Sequence, residues 1–515
     1  MRWALLVLLA TLLGVALLAK LEFGGRGDLP MQLDELYFAT CAARGLVSGE
    51  VPVAGCHDNK GPLIFLLYQS VMDPAHPYRL ATIKLAGFTL GGLVCLLGGL
   101  VAHRVGGRVA AVLTLALALQ SSTLDPWFFS LRTESLGLAC LLLATLVLLP
   151  RGTQPLAWWR VLLAGVLCGL ALLTRQNFLF LVLGIAGWLA FTQRGGLHRL
   201  ALLALLFGTG VLAPMLAFAL IFQLQGTLPE YGASLFIYPA LYGSNGDEGV
   251  IRRLLLKLAL LAEYAQPLSA YVALGVLGAT ALARRVVPVE ADALPAARLV
   301  LVLAGMSLVF LVLVPVLLRP HLWPSLLLAA VLAGPLLARG LAQHEWRMPV
   351  VALLLALVVL TVLCAWGGPQ GNPLRDRKNL QAPQIAEARG GYAYVVGMWP
   401  KIYVDNGWTP ASTVMYPIAL PGAPQTWAFK PPEAGSWKAR LLTQLREHNE
   451  RQLLADFART PPRAIVTIDR DARRPDSSDA TDIPVLRDYI AVHCVPGRRL
   501  DEDTPYAASL FICGR

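Results

Sequence analysis

Two carboxylates stand side by side at Asp34 and Glu35, at the start of a helical run that ends near Gly45. Neighbouring side chains on a helix project to different sides, so the pair suits two separate jobs better than one shared proton. A general base for a hydroxyl is one such job. Favourable charge at a helix N-terminus is the plainer reading. Further along, His57-Asp58-Asn59-Lys60-Gly61-Pro62-Leu63 forms a polar turn that runs into an apolar segment, Pro62 to Met72. A lysine at the mouth of an apolar groove suits a phosphate, because its compact charge needs no fixed fork geometry. Other breaks in the apolar pattern add charge: Asp125 with Arg132-Thr133-Glu134, Arg175-Gln176-Asn177, and Arg319-Pro320-His321. Each cation alone is accounted for by snorkelling or headgroup contact. As a set beside acidic loops, they suit a phosphorylated substrate and an acid–base step. Asp34, Glu35, Asp125 and Glu134 could also supply oxygen ligands to a divalent metal ion, although no spacing compels one.

These residues sit between long apolar runs. Of 515 residues, 56% are hydrophobic and 15% charged, against about 25% charged in soluble chains. The mean hydropathy of +0.59 agrees. The runs predict spans near 3–20, 80–102, 109–124, 134–150, 161–174, 178–192, 200–222, 266–283, 299–318, 321–338 and 348–367, roughly eleven crossings of a bilayer. The first reads as a span and not a cleaved signal peptide, because it is long and no A-x-A site follows it. With the N-terminus inside, alternate loops carry His103-Arg104, Arg108, Arg151, Arg160, Arg194, Arg199, Arg284-Arg285, Arg298, Arg339 and Arg347, which satisfies the positive-inside rule. The net charge of +11 is therefore a topological signal, and a nucleic-acid partner is not expected. All the turns that carry the candidate chemistry fall on the outside face. The expected class is a mainly α, polytopic membrane protein, with residues 1–367 in or at the membrane and a long first outside loop over 21–79.

Residues 368–515 should form an outside α/β domain. Tyr392 to Val396 and Ala464 to Ile468 read as strands, Ser436 to Arg459 as an amphipathic helix, and Tyr489 to Val495 and Ser509 to Cys513 as closing strands. Pro62 to Met72 is too short to span and reads as an interfacial or re-entrant helix, and Arg252 to Lys257 as a helix on the membrane surface. Of the eight cysteines, Cys95, Cys140, Cys168 and Cys364 lie in predicted spans. Cys41 with Cys56, and Cys494 with Cys513, share outside segments where disulfides are permitted.

The run Asp34-Glu35, Tyr37, Ala39, Ala43-Arg44-Gly45, Gly49, then Asp58-Asn59-Lys60-Gly61-Pro62-Leu63 and Tyr68, resembles the first outside loop of GT-C glycosyltransferases. The closest branch is the protein-mannosyltransferase and aminoarabinose-transferase group, glycosyltransferase family 39 and its bacterial relatives. Gly61 replaces the first proline of that group's D-K-P-P-L turn. Arg132-Thr133-Glu134 resembles the next acidic loop, and Arg319-Pro320-His321 a basic turn before a late span. The tail run Val396-Gly397, Trp399-Pro400, Tyr403, Gly407-Trp408, Pro410-Ala411-Ser412 and Tyr416 resembles a segment of bacterial members, with Pro461-Pro462-Arg463 leading into the strand after it. The resemblance implies a membrane enzyme of the bacterial cytoplasmic membrane that takes a monosaccharide from a polyprenyl-phosphate donor. The acceptor it implies is a hydroxyl of a glycan, a lipid or a protein. It implies Asp34 as the catalytic carboxylate and Glu35 as support for the loop or for a metal. Lys60 would hold the lipid phosphate with Arg175, Arg319 or His321, while Asp58 and Tyr37 would line the donor site. Asp125 and Glu134 are candidates for a second acidic position.

A transporter or flippase for a lipid-linked or anionic substrate would also place charge at a membrane cavity. It would more often carry ionisable residues near the midplane and show repeated halves, and no repeat is apparent. A lipid-linked glycan polymerase or ligase would show a large arginine-rich outside loop between late spans, which is missing.

Overall fold

The structure is a computed structural model of the chain. It describes all residues except 24–31, 54–55, 57–59, 125–127, 150–155, 193–195, 242–254, 256, 260–267, 288, 292, 315–317, 367–383, 389, 397–398, 416–419, 422–431, 469–482, 501–507 and 515. Two compact units divide the chain: one from Met1–Leu29, Lys84–Phe218 and Gly249–Gln370, the other from Pro30–Ile83, Ala219–Glu248 and Gly371–Arg515.

The first unit is built of apolar helices. Among the described residues, five helices are long and apolar enough to cross a membrane: Leu80–Thr123, Leu197–Gln225, Leu294–Leu313, Arg319–Ala342 and His344–Cys364. Shorter apolar helices include Arg2–Ala16, Thr133–Leu148, Trp158–Thr174, Gln176–Thr192 and Ser269–Ala283. A helix satisfies its own backbone polar groups, which is what hydrocarbon demands of a spanning segment. Large apolar side chains face outward, with Phe191 79% and Leu205 67% exposed. The protein is a mainly α, polytopic membrane protein.

The predicted spans 80–102 and 109–124 share one 44-residue helical element, and Gly107 breaks it at φ 77°. Only glycine adopts that conformation without steric cost. Close packing elsewhere rests on small residues. A Cβ on Gly165 would lie 3.0 Å from the Cα of Gly210, and one on Gly210 2.9 Å from the Cα of Gly165. Without a hydrophobic drive between helices in lipid, such backbone approach supplies van der Waals adhesion. Polar side chains add a second bond type. Gln120 Nε2 donates to Thr11 Oγ1 (2.7 Å) and the Tyr271 hydroxyl donates to Gln120 Oε1 (3.2 Å). The same hydroxyl lies 2.6 Å from Thr361 Oγ1, so four helices share one buried chain of hydrogen bonds.

The second unit holds a five-stranded sheet. Its strands are β1 Gly391–Val396, β2 Trp408–Pro410, β3 Ala464–Ile468, β4 Cys494–Leu500 and β5 Ala508–Cys513, in the order β2-β1-β3-β5-β4. β1 pairs in parallel with β2 and β3, whereas β5 runs antiparallel to β3 and β4. Helix Trp437–Arg459 is capped by Ser436, whose Oγ accepts from the Ala439 amide at 3.2 Å, and it buries Leu453 and Phe457 in a core with Tyr394, Ile465 and Leu486.

The expected strand from Tyr489 to Val495 is corrected: Pro484–His493 is a helix, and the strand begins at Cys494. Pro484 starts that helix with its φ already set. Val485, Leu486, Tyr489 and Ile490 then recur at helical spacing and pack on the core. The two cysteine pairs whose bonding the sequence leaves open, Cys41–Cys56 and Cys494–Cys513, are disulfides. Most of the expected surface helix from Arg252 to Lys257 lies outside the described residues.

Candidate functional site

The acidic pair opens helix Leu33–Ser48, and the two carboxylates are placed differently. Glu35 is 0% exposed, and its Oε2 accepts from the Gln32 backbone amide at 3.1 Å. That bond satisfies an amide left over at the helix N-terminus. Asp34, one position earlier, is half-buried. The body of the helix is held by its neighbours within the same unit. Tyr37 donates its hydroxyl to the Cys56 carbonyl at 2.6 Å, beside the Cys41–Cys56 disulfide. Phe38 packs edge-on against Phe65 and Tyr68, with ring centres 5.7 and 5.9 Å away.

Those two rings belong to helix Pro62–Val71, whose first residue is a proline and whose N-cap is Gly61. Half-buried Lys60 stands directly before that cap. Gln69 of the same helix bridges back: its Nε2 donates to the Glu50 carbonyl (2.9 Å) and its Oε1 accepts from the Val53 amide (3.3 Å). Gly45 leaves the space for this amide, since a Cβ there would collide with Gln69 and with the Glu50 carbonyl. The acidic helix then stops at Gly49, at φ 77°. Burial pushes the Glu50 carboxyl above its ordinary range, and the Arg44 guanidinium opposes that shift.

A second set of charges lies in the other unit, at three helix ends. Glu134 is in the first turn of Thr133–Leu148, Arg175 caps Trp158–Thr174, and His321 lies in the turn Arg319–Leu322. Glu134, Arg132, Arg175 and His321 are all buried. Arg175 Nη1 donates to Glu134 Oε1, and Thr133 Oγ1 donates to Oε2 at 2.9 Å. Arg132 Nε lies 3.4 Å from that Oε2, so two guanidiniums share one carboxylate. Arg175 Nη2 is 2.8 Å from His321 Nε2, which must be the acceptor because a guanidinium only donates. His321 also meets Phe310 edge-on at 5.4 Å.

Of the residues singled out in the sequence, Asp34, Glu35, Tyr37 and Lys60 belong to one unit and Glu134, Arg175, Arg319 and His321 to the other. Asp58 and Asp125 lie outside the described residues. Among the described residues no three His, Cys, Asp or Glu side chains gather as a metal site, so no metal ligand set is assigned. Arg44, Gln69 and Asp456 escaped sequence reasoning as site residues. Arg44 and Asp456 are separated by more than four hundred positions, and no local pattern links them.

No protein-family model matches the chain, and no curated protein is similar to it in sequence. Its architecture does match solved structures. ArnT from Cupriavidus metallidurans, crystallised with undecaprenyl phosphate, superposes with a TM-score of 0.57 over 99% of this chain and 98% of that one, at 14% identity. The fold is GT-C. The apo form of the same ArnT gives a TM-score of 0.56 at 14% identity, covering 99% and 97% of the two chains. The apo oligosaccharyltransferase of Archaeoglobus fulgidus gives 0.50 at 14% identity, over 91% of this chain and 70% of that one. A GT-C fold accounts for the pairing of an apolar helical unit with a sheet-bearing unit that also takes in the first loop.

Proposed function

We propose that this protein transfers a monosaccharide from a polyprenyl-phosphate donor to an acceptor hydroxyl. The observation that carries the reading is the likeness to ArnT along nearly the whole of both chains, since that protein's crystal structure contains undecaprenyl phosphate. The half-buried Asp34 on a helix pinned by Tyr37 and Cys41 supports it, as does Lys60 at the mouth of the neighbouring helix.

The acceptor oxygen would attack the anomeric carbon, whose bond to the phosphate oxygen breaks with its electron pair leaving on the phosphate. Asp34 would take the hydroxyl proton. Lys60 would stabilise the charge that grows on the departing phosphate, and a fixed cation is worth most where that charge develops. A single displacement inverts the sugar. By the family resemblance, Arg175, Arg319 and His321 are candidates for holding a lipid phosphate. His321→Ala should therefore weaken polyprenyl-phosphate binding, and unchanged affinity would remove it from that role. Glu35, sealed against the Gln32 amide, is read as support for the helix.

In this reading residues 1–367 form the membrane domain and 368–515 an extracytoplasmic domain, with the N-terminus inside. Disulfides persist in oxidising compartments, and the positions of both pairs favour that orientation. A reporter fused after Arg515 should be accessible outside a bacterial cytoplasmic membrane, and a cytoplasmic signal would reverse the topology.

The decisive experiment offers the purified protein a panel of polyprenyl-phosphate monosaccharides with acceptors, alongside Asp34→Asn. Release of polyprenyl phosphate from one donor, lost in the variant at unchanged thermal stability, is the expected result. No release from any donor by folded protein would overturn the reading.

A further inference from the structure

The acidic helix is anchored at its far end as well as at its start. Arg44 is 4% exposed and Asp456 1%. Arg44 Nη1 donates to the Pro410 carbonyl at the end of β2 (3.2 Å) and to Thr460 Oγ1 beyond helix Trp437–Arg459 (3.1 Å). Its Nη2 lies 3.9 Å from Asp456 Oδ1, and its guanidinium sits 5.8 Å from the Tyr392 ring centre. Asp456 in turn shapes the chain that presents the Pro410 carbonyl. Its Oδ2 accepts from Ser412 Oγ (2.8 Å), the Thr413 amide (3.0 Å) and Thr413 Oγ1 (3.1 Å). Its Oδ1 accepts from Gln452 Nε2 (3.1 Å) and Arg459 Nη2 (3.0 Å). The same strand takes another bond from the first loop: the Tyr78 hydroxyl donates to the Trp408 carbonyl at 2.7 Å.

We infer that Arg44 is a positioning residue for the reaction proposed above, locking the helix that carries Asp34 onto the sheet-bearing C-terminal segment. The inference rests on that functional reading. Arg44 follows Asp34 by ten positions, about 15 Å along one rigid helix. Tyr37 and Cys41 hold the middle of that helix, so a free far end would let it pivot about them. A general base works only within hydrogen-bond reach of its proton, and a displacement of about 1 Å can cost roughly 100-fold in rate. Asp456 is the organiser of the socket and Arg44 the pin. The C-terminal segment thereby aligns the base, whatever acceptor it meets.

The test measures kcat, donor KM and polyprenyl-phosphate binding for the full-length wild type, Arg44→Met, Arg44→Lys and Thr460→Val. Arg44→Met should lower kcat by about 100-fold while donor KM and polyprenyl-phosphate affinity hold. Arg44→Lys, which keeps the charge and one donor, should recover part of that loss. Thr460→Val should show a smaller fall of the same kind. Wild-type kcat in Arg44→Met overturns the inference. So does a fall in kcat matched by equal falls in donor affinity and folded fraction, which would mark Arg44 as structural only. If Arg44→Met does not fold, Arg44→Lys and Thr460→Val decide, and wild-type kcat in both overturns it. Absence of transfer in the wild type sinks the functional reading and this inference together. Transfer that Arg44→Met leaves intact sinks only the inference.

Discussion

Each unit of the protein buries a carboxylate beside a guanidinium, and the two pairs are held in different ways. In the helical unit Glu134 takes its bonds from Arg175, Arg132 and Thr133, so charge neutralises charge where neighbouring helices are apolar. In the sheet-bearing unit Asp456 takes three bonds on one oxygen from a single turn, and Arg44 spends its bonds on a carbonyl and a hydroxyl. Cysteines divide along the same line. Cys95, Cys140, Cys168 and Cys364 of the first unit are thiols, whereas the second unit holds both disulfides. In the helical unit the buried carboxylate is met by two guanidiniums and one hydroxyl. The sheet-bearing unit distributes the same task over backbone, hydroxyls and covalent links.

The largest expected effect breaks the first pair. Arg175→Met leaves Glu134 buried without its main partner and should cost about 3–5 kcal/mol. Thermal unfolding in detergent reads this, and adding Glu134→Met should restore most of the loss. A double variant as weak as the single one would show that the site needs the charges for more than each other.

Removing the covalent link in the other unit comes next. The Cys494–Cys513 bond joins residues 19 positions apart, so its double serine variant should lose about 3 kcal/mol on the loop-entropy account. Cys168→Ala, in the helical unit, should lose only packing. Equal losses would erase the contrast between the units.

A smaller effect tests the polar chain between helices. Gln120→Leu should cost about 0.6 kcal/mol and no more than about 1.7, the average and maximum found for hydrogen bonds between membrane helices. An unchanged melting temperature would mean that Thr11, Tyr271 and Thr361 re-pair without it.

The smallest expected effect depends on pH. Burial raises the Glu50 carboxyl above its ordinary value of 4.5. The folded chain therefore holds that proton more tightly than the unfolded one. Its favourable contribution is complete below the ordinary value and is lost as pH rises through the raised one. Glu50→Gln should thus match the wild type in acid and melt higher near neutral pH. A difference that stays constant across the titration would assign the change to Gln69 and its carbonyl contact instead.

The membrane class, the helix over residues 436–459 and the strands starting near 392, 464 and 509 are local properties, because period and apolar length decide them. The helix over Pro484–His493 is not legible locally, because Tyr489-Ile490-Ala491-Val492 is short, apolar and β-branched at its end, which suits a strand as well. Packing on the core, including Tyr489 against Phe457 with ring centres 4.7 Å apart, goes with the helix.

The same boundary runs through the candidate site. Residue type and spacing alone made Asp34, Glu35 and Lys60 candidates, since carboxylates and a lysine ahead of an apolar helix carry their chemistry with them. That Glu35 is sealed inside and Asp34 half-open followed from how the helix N-terminus meets Gln32. That Arg44 meets Pro410 and Thr460 is a long-range choice of packing. A hydrogen bond acts over about 3 Å, so which distant segments share one is decided only when the chain has closed its core.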